Sequence, residues 1–302
     1  MRIDTLTYNN IHTQGAQRRA WLRQHSPQHL EQSAALMLHA LQLRPSSTSP
    51  STLVLGAGAC TEIPLADLAR DSDEVVLADL DRASMQQGRD ELISPMLRRR
   101  VRLLVCDISG GISINLKCLI EQQPWEKLVS QGANEIFDAA ACCLEQCSIP
   151  DPPAIKGLAA SEFGVVVSSL ILSQLFSYPL LDMLDHIQLL APTILEEQER
   201  HRRYQDAAQS FRVRVMQAHL RLMRELLDTG GLACLLTDMR GFVFERDIEQ
   251  RRAIPLVPRI LPDLVRENFS VLQEAHWEWL SDLPDKGKLG RGYEVVGYVL
   301  TL

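Results

Sequence analysis

No dense stripe of lysine or arginine runs through this chain of 302 residues, in which 31 basic against 38 acidic side chains leave a formal charge of -7. A protein that gains its affinity by neutralising phosphates is therefore not expected, and nucleic acid is set aside as a general partner. The first segment, MRIDTLTYNN, has no basic stretch leading into an apolar one, so no secretory signal is expected and the cytosol is the expected compartment. The longest apolar run, residues 163 to 184, is broken by Ser168, Ser169, Ser173, Gln174, Ser177, Pro179 and Asp182. It is too polar for a span facing lipid, so no membrane partner is expected, and the run reads as a buried strand entering a helix. The seven cysteines, Cys60, Cys106, Cys118, Cys142, Cys143, Cys147 and Cys234, are odd in number and lack CxxC spacing. They read as reduced thiols, and with no histidine at ligand spacing beside Cys142 to Cys147 no metal site is expected. Neither an internal repeat nor a low-complexity tract is visible.

What is present is a hydrophobic content of 46%, enough for a substantial core. Residues 1 to 44 read as helical, with Trp21, Leu22, Leu30, Ala34, Met37, Leu38 and Leu41 at roughly helical spacing, and the Pro- and Ser-rich stretch from Pro45 to Ser51 reads as a linker. From there short apolar runs alternate with helical segments: Leu53 to Leu55, Val75 to Ala78, Val101 to Cys106, Phe163 to Val167 and Leu232 to Thr237. That alternation predicts a doubly wound α/β fold with a mostly parallel sheet. Two closing runs, Val271 to Leu280 and Tyr293 to Leu302, bring the expected strands to seven. Between the fourth and fifth runs lie a helix from Leu170 to Leu190, interrupted near Pro179, and a long amphipathic stretch from Thr193 to Leu227. The expected organisation is an N-terminal helical cap over residues 1–48 and one domain over 49–302, with an insertion at about 109–162 that is too long for a simple crossover. Ile136 to Cys142, inside the insertion, competes for the place of the fourth strand, and Phe163 to Val167 is preferred because it is more β-branched.

The chemistry is concentrated at the ends of the predicted strands. After the first comes Gly56-Ala57-Gly58-Ala59-Cys60, a loop in which glycine lets backbone approach a ligand and the following helix can offer free N–H groups. Asp79 ends the second strand, 21 residues beyond Gly58, where an acid can accept from two ribose hydroxyls. Asp107 ends the third, beside Ile108, and the pair could bind and flank an adenine. Each acid alone reads as readily as a helix cap or turn. Three such features in order at one sheet edge favour a nucleoside site, because ligands of open α/β sheets bind beyond the carboxyl ends of the strands.

With these residues in place the chain resembles the class I, Rossmann-like S-adenosylmethionine-dependent methyltransferases over residues 51 to 302. Gly56-Ala57-Gly58 is similar to their glycine motif, Val75 to Asp81 to their second motif and Val105 to Ile108 to their third. Phe163 to Leu170 resembles the fourth strand and the loop under the donor, and Leu226 to Leu232 the Gly-Gly turn before the fifth strand. The resemblance implies a seven-stranded sheet with its last strand antiparallel and S-adenosyl-L-methionine as methyl donor. It implies contacts from Gly56, Ala57, Gly58, Asp79, Leu80, Asp107, Ile108, Ser168 and Ser169. Two positions depart from the pattern. Val54 stands where an acid often precedes the first glycine, and Cys60 replaces the third glycine, which leaves the donor's amine without an obvious side-chain partner.

Base candidates for the acceptor's proton are Asp238, His186, Tyr178 and His219, each of which also reads as a packing or turn residue. The chain lacks the Pro-Cys pair and the Asn- or Asp-Pro-Pro-Tyr motif that mark methyltransferases of nucleobases, and Asp151-Pro152-Pro153-Ala154 reads as a turn. The expected acceptor is a small molecule. The alternatives are a nicotinamide-dependent oxidoreductase, which expects a third glycine near Thr61, and a non-catalytic domain that senses the donor.

Overall fold

The computed structural model describes residues 15–245, 248–285 and 287–302; the expected helical region before residue 15 lies outside them. Two helices open the described chain, α1 (Gly15–His25) and α2 (Pro27–Leu43). Then come β1 (Ser51–Leu55), α3 (Leu65–Asp71), β2 (Glu74–Asp79), α4 (Arg82–Leu92) and β3 (Val101–Val105). The insertion carries α5 (Ile112–Glu121), α6 (Trp125–Gln131) and α7 (Ala133–Gln146). The chain continues through β4 (Phe163–Ser169), α8 (Leu172–Leu190), α9 (Arg202–Leu226) and β5 (Leu227–Phe244). It ends with β6 (Arg252–Pro255), α10 (Leu261–Asn268), β7 (Ser270–Asp282) and β8 (Gly290–Thr301). No helix among the described residues is long and apolar enough to cross a membrane.

The strands lie in the order β3-β2-β1-β4-β5-β8-β7, with β6 paired to the outer part of β5. β1 to β5 are mutually parallel, and β8 enters antiparallel between β5 and β7. This is the expected doubly wound sheet with its last strand reversed. β6 is an addition the sequence did not announce, because all four of its residues are exposed and Arg252-Ala253-Ile254-Pro255 has no inward-facing pattern. The central strands bury both faces, which is why they read as unbroken Val/Leu runs rather than alternating ones. Successive residues feed two cores. Leu53, Leu55, Val166 and Leu235 pack with α5 and α7 to α10, whereas Val54, Val165, Val167 and Leu236 pack with α2, α3 and α4.

Phe163 to Val167 is the fourth strand, as preferred, its rival is ruled out, and two sequence expectations are corrected. Ile136 to Cys142 is helical, and Ile136, Phe137, Ala140, Ala141 and Leu144 are buried at the 3.6-residue period of α7 rather than at a strand's period of two. Pro179 does not interrupt α8, because Leu180, Met183 and Ile187 on the succeeding turns are buried and hold the helix together. β5 starts earlier and ends later than Leu232 to Thr237. Gly230, at φ +80, lets the strand begin at Leu227, and β8 continues to pair with β5 as far as Phe244. As β4 ends opposite Leu236, the β5–β8–β7 half of the sheet rises eight residues beyond it, about 26 Å at strand rise.

Candidate functional site

The order of the strands reverses between β1 and β4, which places the turn after Leu55 beside the turn after Ser169. Gly56, at φ +75, turns the chain out of β1, and its N–H and that of Ala57 donate to the carbonyl of Ala78 on β2 at 3.0 and 3.3 Å. A Cβ on Gly56 would stand 2.5 Å from the Ile171 Cβ and 3.1 Å from the Ser169 carbonyl oxygen, so the two turns touch. Gly58, at φ +46, is the opposite case, for a Cβ there would meet nothing within 4 Å.

The Gly58 N–H donates to Asp79 Oδ2 at 2.9 Å, and the Asp81 N–H to Asp79 Oδ1 at 2.9 Å. Each carboxylate oxygen keeps a lone pair for a further donor, so Asp79 is aimed by backbone yet still able to accept. Asp81 caps α4 through the N–H and hydroxyl of Ser84, and Leu80 between the two acids stands 69% exposed at the edge. The third acid behaves differently. Asp107 Oδ1 accepts from the N–H and hydroxyl of Ser109 and Oδ2 from the Gly111 N–H, a turn that opens α5, while Ile108 is buried in the core on the α5 side. A cavity of about 540 Å3 beside Asp107 is lined by residues 104–107 and 154–157.

The two serines at the end of β4 point to opposite faces, as strand alternation requires. Ser168 is fully buried and shares a 2.8 Å hydrogen bond with His219 Nε2 on α9. Ser169 donates to Glu62 Oε1 at 2.7 Å. Glu62 is the residue that sequence reasoning missed. It lies in the stretch from Cys60, itself at φ 53, to Pro64, ahead of the late start of α3 at Leu65. Desolvation pushes its carboxyl above the usual range, and the Ser169 hydroxyl opposes that shift.

Of the four base candidates only Asp238 reaches this corner. It is buried two residues above Leu236, the β5 residue opposite Ser169, and burial pushes its pKa up to about 7, with the Glu62 charge adding to the shift. Its Oδ1 accepts from the indole N–H of Trp279 on β7 at 3.3 Å. His219 is sealed in the core, and burial pushes its pKa down to about 4, which keeps the ring neutral near pH 7. His186 lies fourteen residues along α8 from Leu172, about 21 Å, edge-on to Trp125 with ring centroids 5.3 Å apart. Tyr178 donates to Gln174 on its own helix at 3.3 Å.

The opening helices border the same corner. Arg19 of α1 donates to the Ala59 carbonyl at 2.9 Å and pairs with Glu91 of α4, which pins α1 over the glycine loop. Between them is a cavity of about 260 Å3 lined by Arg19, Arg23, Cys60, Glu62 and Leu92, among others. Neither cavity is lined by Gly56, Gly58 or Asp79. Arg18 lies 5.5 Å from the Trp279 ring and donates to the Ser281 carbonyl at 2.6 Å.

No family model matches the chain, and no curated protein matches its sequence. Solved structures do. A Bacillus halodurans protein assigned as a methyltransferase is 9% identical over 87% of this chain and 97% of its own, with a TM-score of 0.42. The glycopeptide N-methyltransferase MtfA, solved with S-adenosyl-L-methionine, is 13% identical over 89% of this chain and 94% of its own, with a TM-score of 0.38. A Pyrococcus horikoshii protein assigned as an RNA methyltransferase is 11% identical over 90% and 84%, with a TM-score of 0.39. These are distant likenesses.

Proposed function

We propose that this chain is a methyltransferase that takes its methyl group from S-adenosyl-L-methionine and passes it to a small-molecule acceptor in the cytosol. The observation that carries the reading is the Glu62–Ser169 pair beside the glycine loop. A dinucleotide would place its pyrophosphate at such a loop, on the N-terminus of the following helix. Here that helix starts late, at Leu65, and an acid lies in the intervening loop. A carboxyl there repels a phosphate and attracts an ammonium, which favours the amino-acid end of the methyl donor over the nicotinamide alternative.

The chain's residues fit that donor. Asp79, aimed by Gly58, accepts the ribose hydroxyls, the open side of Gly58 admits the ligand, and Glu62 receives the ammonium. Leu80 offers an apolar flank to the base, whereas Asp107 contributes only the acceptor capacity its own turn leaves. When bound, the donor supplies an electrophilic methyl carbon, so alignment and exclusion of water matter more than covalent catalysis. Asp238, a carboxyl brought near neutrality by burial, is suited to take the proton that the acceptor loses.

S-adenosylhomocysteine at 100 times its dissociation constant should stabilise the protein by about 2.7 kcal/mol, a rise in Tm of about 4 °C for a chain of this length. NADH should leave Tm unchanged. Labelled methyl from the donor should then appear on a component of a metabolite extract. Stabilisation by NADH instead would establish the oxidoreductase, and stabilisation by S-adenosylhomocysteine without any label transfer would establish the sensor.

A further inference from the structure

Trp279 is stacked against two other rings. His29 of α2 stacks on it with centroids 4.6 Å apart and planes at 11°, and Tyr293 of β8 stacks at 5.0 Å and 26°. His29 is itself fixed by the Trp277 indole, which donates to its Nδ1 at 2.9 Å, and burial pushes its pKa down to about 3, so the stack carries no charge of its own near pH 7. Trp279 on β7 therefore reaches across the intervening β8 to Asp238 on β5 with its orientation already fixed. A stack of three rings is more than packing needs for a side chain that is partly open to solvent, and its one polar product is the N–H bond to Asp238.

We propose that Trp279 is a positioning residue of this site, its clamped indole N–H holding Oδ1 of Asp238 so that Oδ2 receives the proton released when the acceptor is methylated. The inference rests on the methyltransferase reading. In the step, the acceptor's lone pair forms the bond to the methyl carbon, the donor's carbon–sulfur pair stays with sulfur, and the acceptor's proton passes to Asp238. The charge that acts on the carboxyl is that of Glu62 before α3; about the Trp279 ring stand Arg18 of α1, His29 of α2 and Tyr293 of β8, and Arg18 in turn feels Asp282 at the end of β7. Among the described residues only the indole hydrogen-bonds to it, and a donor to the ionised form lowers a carboxyl's pKa.

The test is a carbon NMR titration of the full chain labelled at aspartate Cγ, with the Asp238 signal identified by its loss in Asp238→Asn. Trp279→Phe keeps the ring between its neighbours and deletes the donor. At 3.3 Å the bond is long for one to a charged group, so the midpoint should rise by about one pH unit, the low end for such bonds. The acid limb of kcat/KM should move with it, and the rate should recover to within about threefold above the limb. Trp277→Phe, which deletes the neighbouring indole donor, should lower Tm without moving the midpoint. Tyr293→Leu, which removes one wall of the clamp, should shift the midpoint in the same direction by less, and it serves if Trp279→Phe does not fold. An unmoved midpoint, a shift equally large in Trp277→Phe, or a midpoint that moves while the rate limb stays put would overturn the proposal. Failure of the methyltransferase reading shows separately, as wild-type protein that neither responds to S-adenosylhomocysteine nor transfers label.

Discussion

Gly56 and Gly58 are two residues apart in one loop, both at positive φ, yet they should fail differently when given a methyl group. At Gly56 alanine suffers the left-handed backbone, about 1–2 kcal/mol, and drives its Cβ to 2.5 Å from Ile171 and 3.1 Å from the Ser169 carbonyl. Overpacking of that kind costs a further 1–3 kcal/mol, roughly. The sum, about 2–5 kcal/mol, lowers Tm by about 3–8 °C for a domain of this length. At Gly58 only the backbone cost applies, because the new methyl meets nothing, and Tm should fall by about 2–3 °C. The open space at Gly58 is where the donor is proposed to lie, so its methyl group should weaken S-adenosylhomocysteine at least tenfold. At a ligand concentration of 100 times the wild-type dissociation constant, stabilisation then drops from about 2.7 to about 1.4 kcal/mol. Differential scanning fluorimetry of wild type, Gly56→Ala and Gly58→Ala, with and without ligand, reads all of these values. The reasoning is refuted if Gly58→Ala keeps the full ligand shift, or if Gly56→Ala costs no more than Gly58→Ala.

Glu62→Gln should weaken the donor about tenfold or more while leaving Tm at pH 7 unchanged or raised, since it removes a charge that desolvation disfavours; calorimetry with S-adenosylhomocysteine measures the loss, and undiminished affinity would remove Glu62 from the site. Asp238→Asn should reduce turnover by about 10²- to 10⁴-fold with the ligand shift intact, and wild-type activity should fall as pH drops through about 7. The stability of the same variant has the opposite pH sense. Burial raises the Asp238 pKa from 3.8 to about 7, so the folded chain binds this proton more tightly than the unfolded one. The cost of holding the carboxylate is full above about 7 and absent below 3.8, so Asp238→Asn should raise Tm at pH 8 and leave it unchanged at pH 3.5, by calorimetric scans.

The strand framework was legible because parallel strands covered on both faces leave short Val/Leu runs, and each run here ends on a residue that breaks the pattern: Gly56, Asp79, Asp107 or Ser168. The insertion was not, because Ile136-Phe137 and Ala140-Ala141 in a short window fit a strand or a helix, and only the packing of α7 against α9 decides. Within the candidate site, spacing alone points to Asp79, and the Gly58 N–H does meet its carboxylate. Asp107 likewise follows a strand, but Ser109, Gly110 and Gly111 follow it, and a serine with two glycines gives the carboxylate a turn of its own to satisfy. Ser168 and Ser169 are adjacent, so strand alternation already sends one toward α9 and the other toward Glu62, but which one depends on register. Glu62 escaped notice because an acid a few residues after a glycine loop reads as a helix-start charge, and nothing in the sequence says that the helix waits for Pro64.

The step in the sheet, where β5, β7 and β8 outrun β1 to β4, determines what kind of support the candidate base has. Above the level of Leu236 the strands have outgrown their parallel neighbours, so Asp238 and Trp279 stand where a two-sided sandwich gives way to an antiparallel ribbon edged by β6 and touched by α1 and α2. Such a ribbon keeps its form through its own ladder and through rings laid across it, as Phe242 and Phe244 do over Gly292 and Gly290. The corner thus joins two kinds of support, the glycine loop leaving the doubly covered parallel strands and the candidate base standing on strands held by their own ladder and by the rings across them.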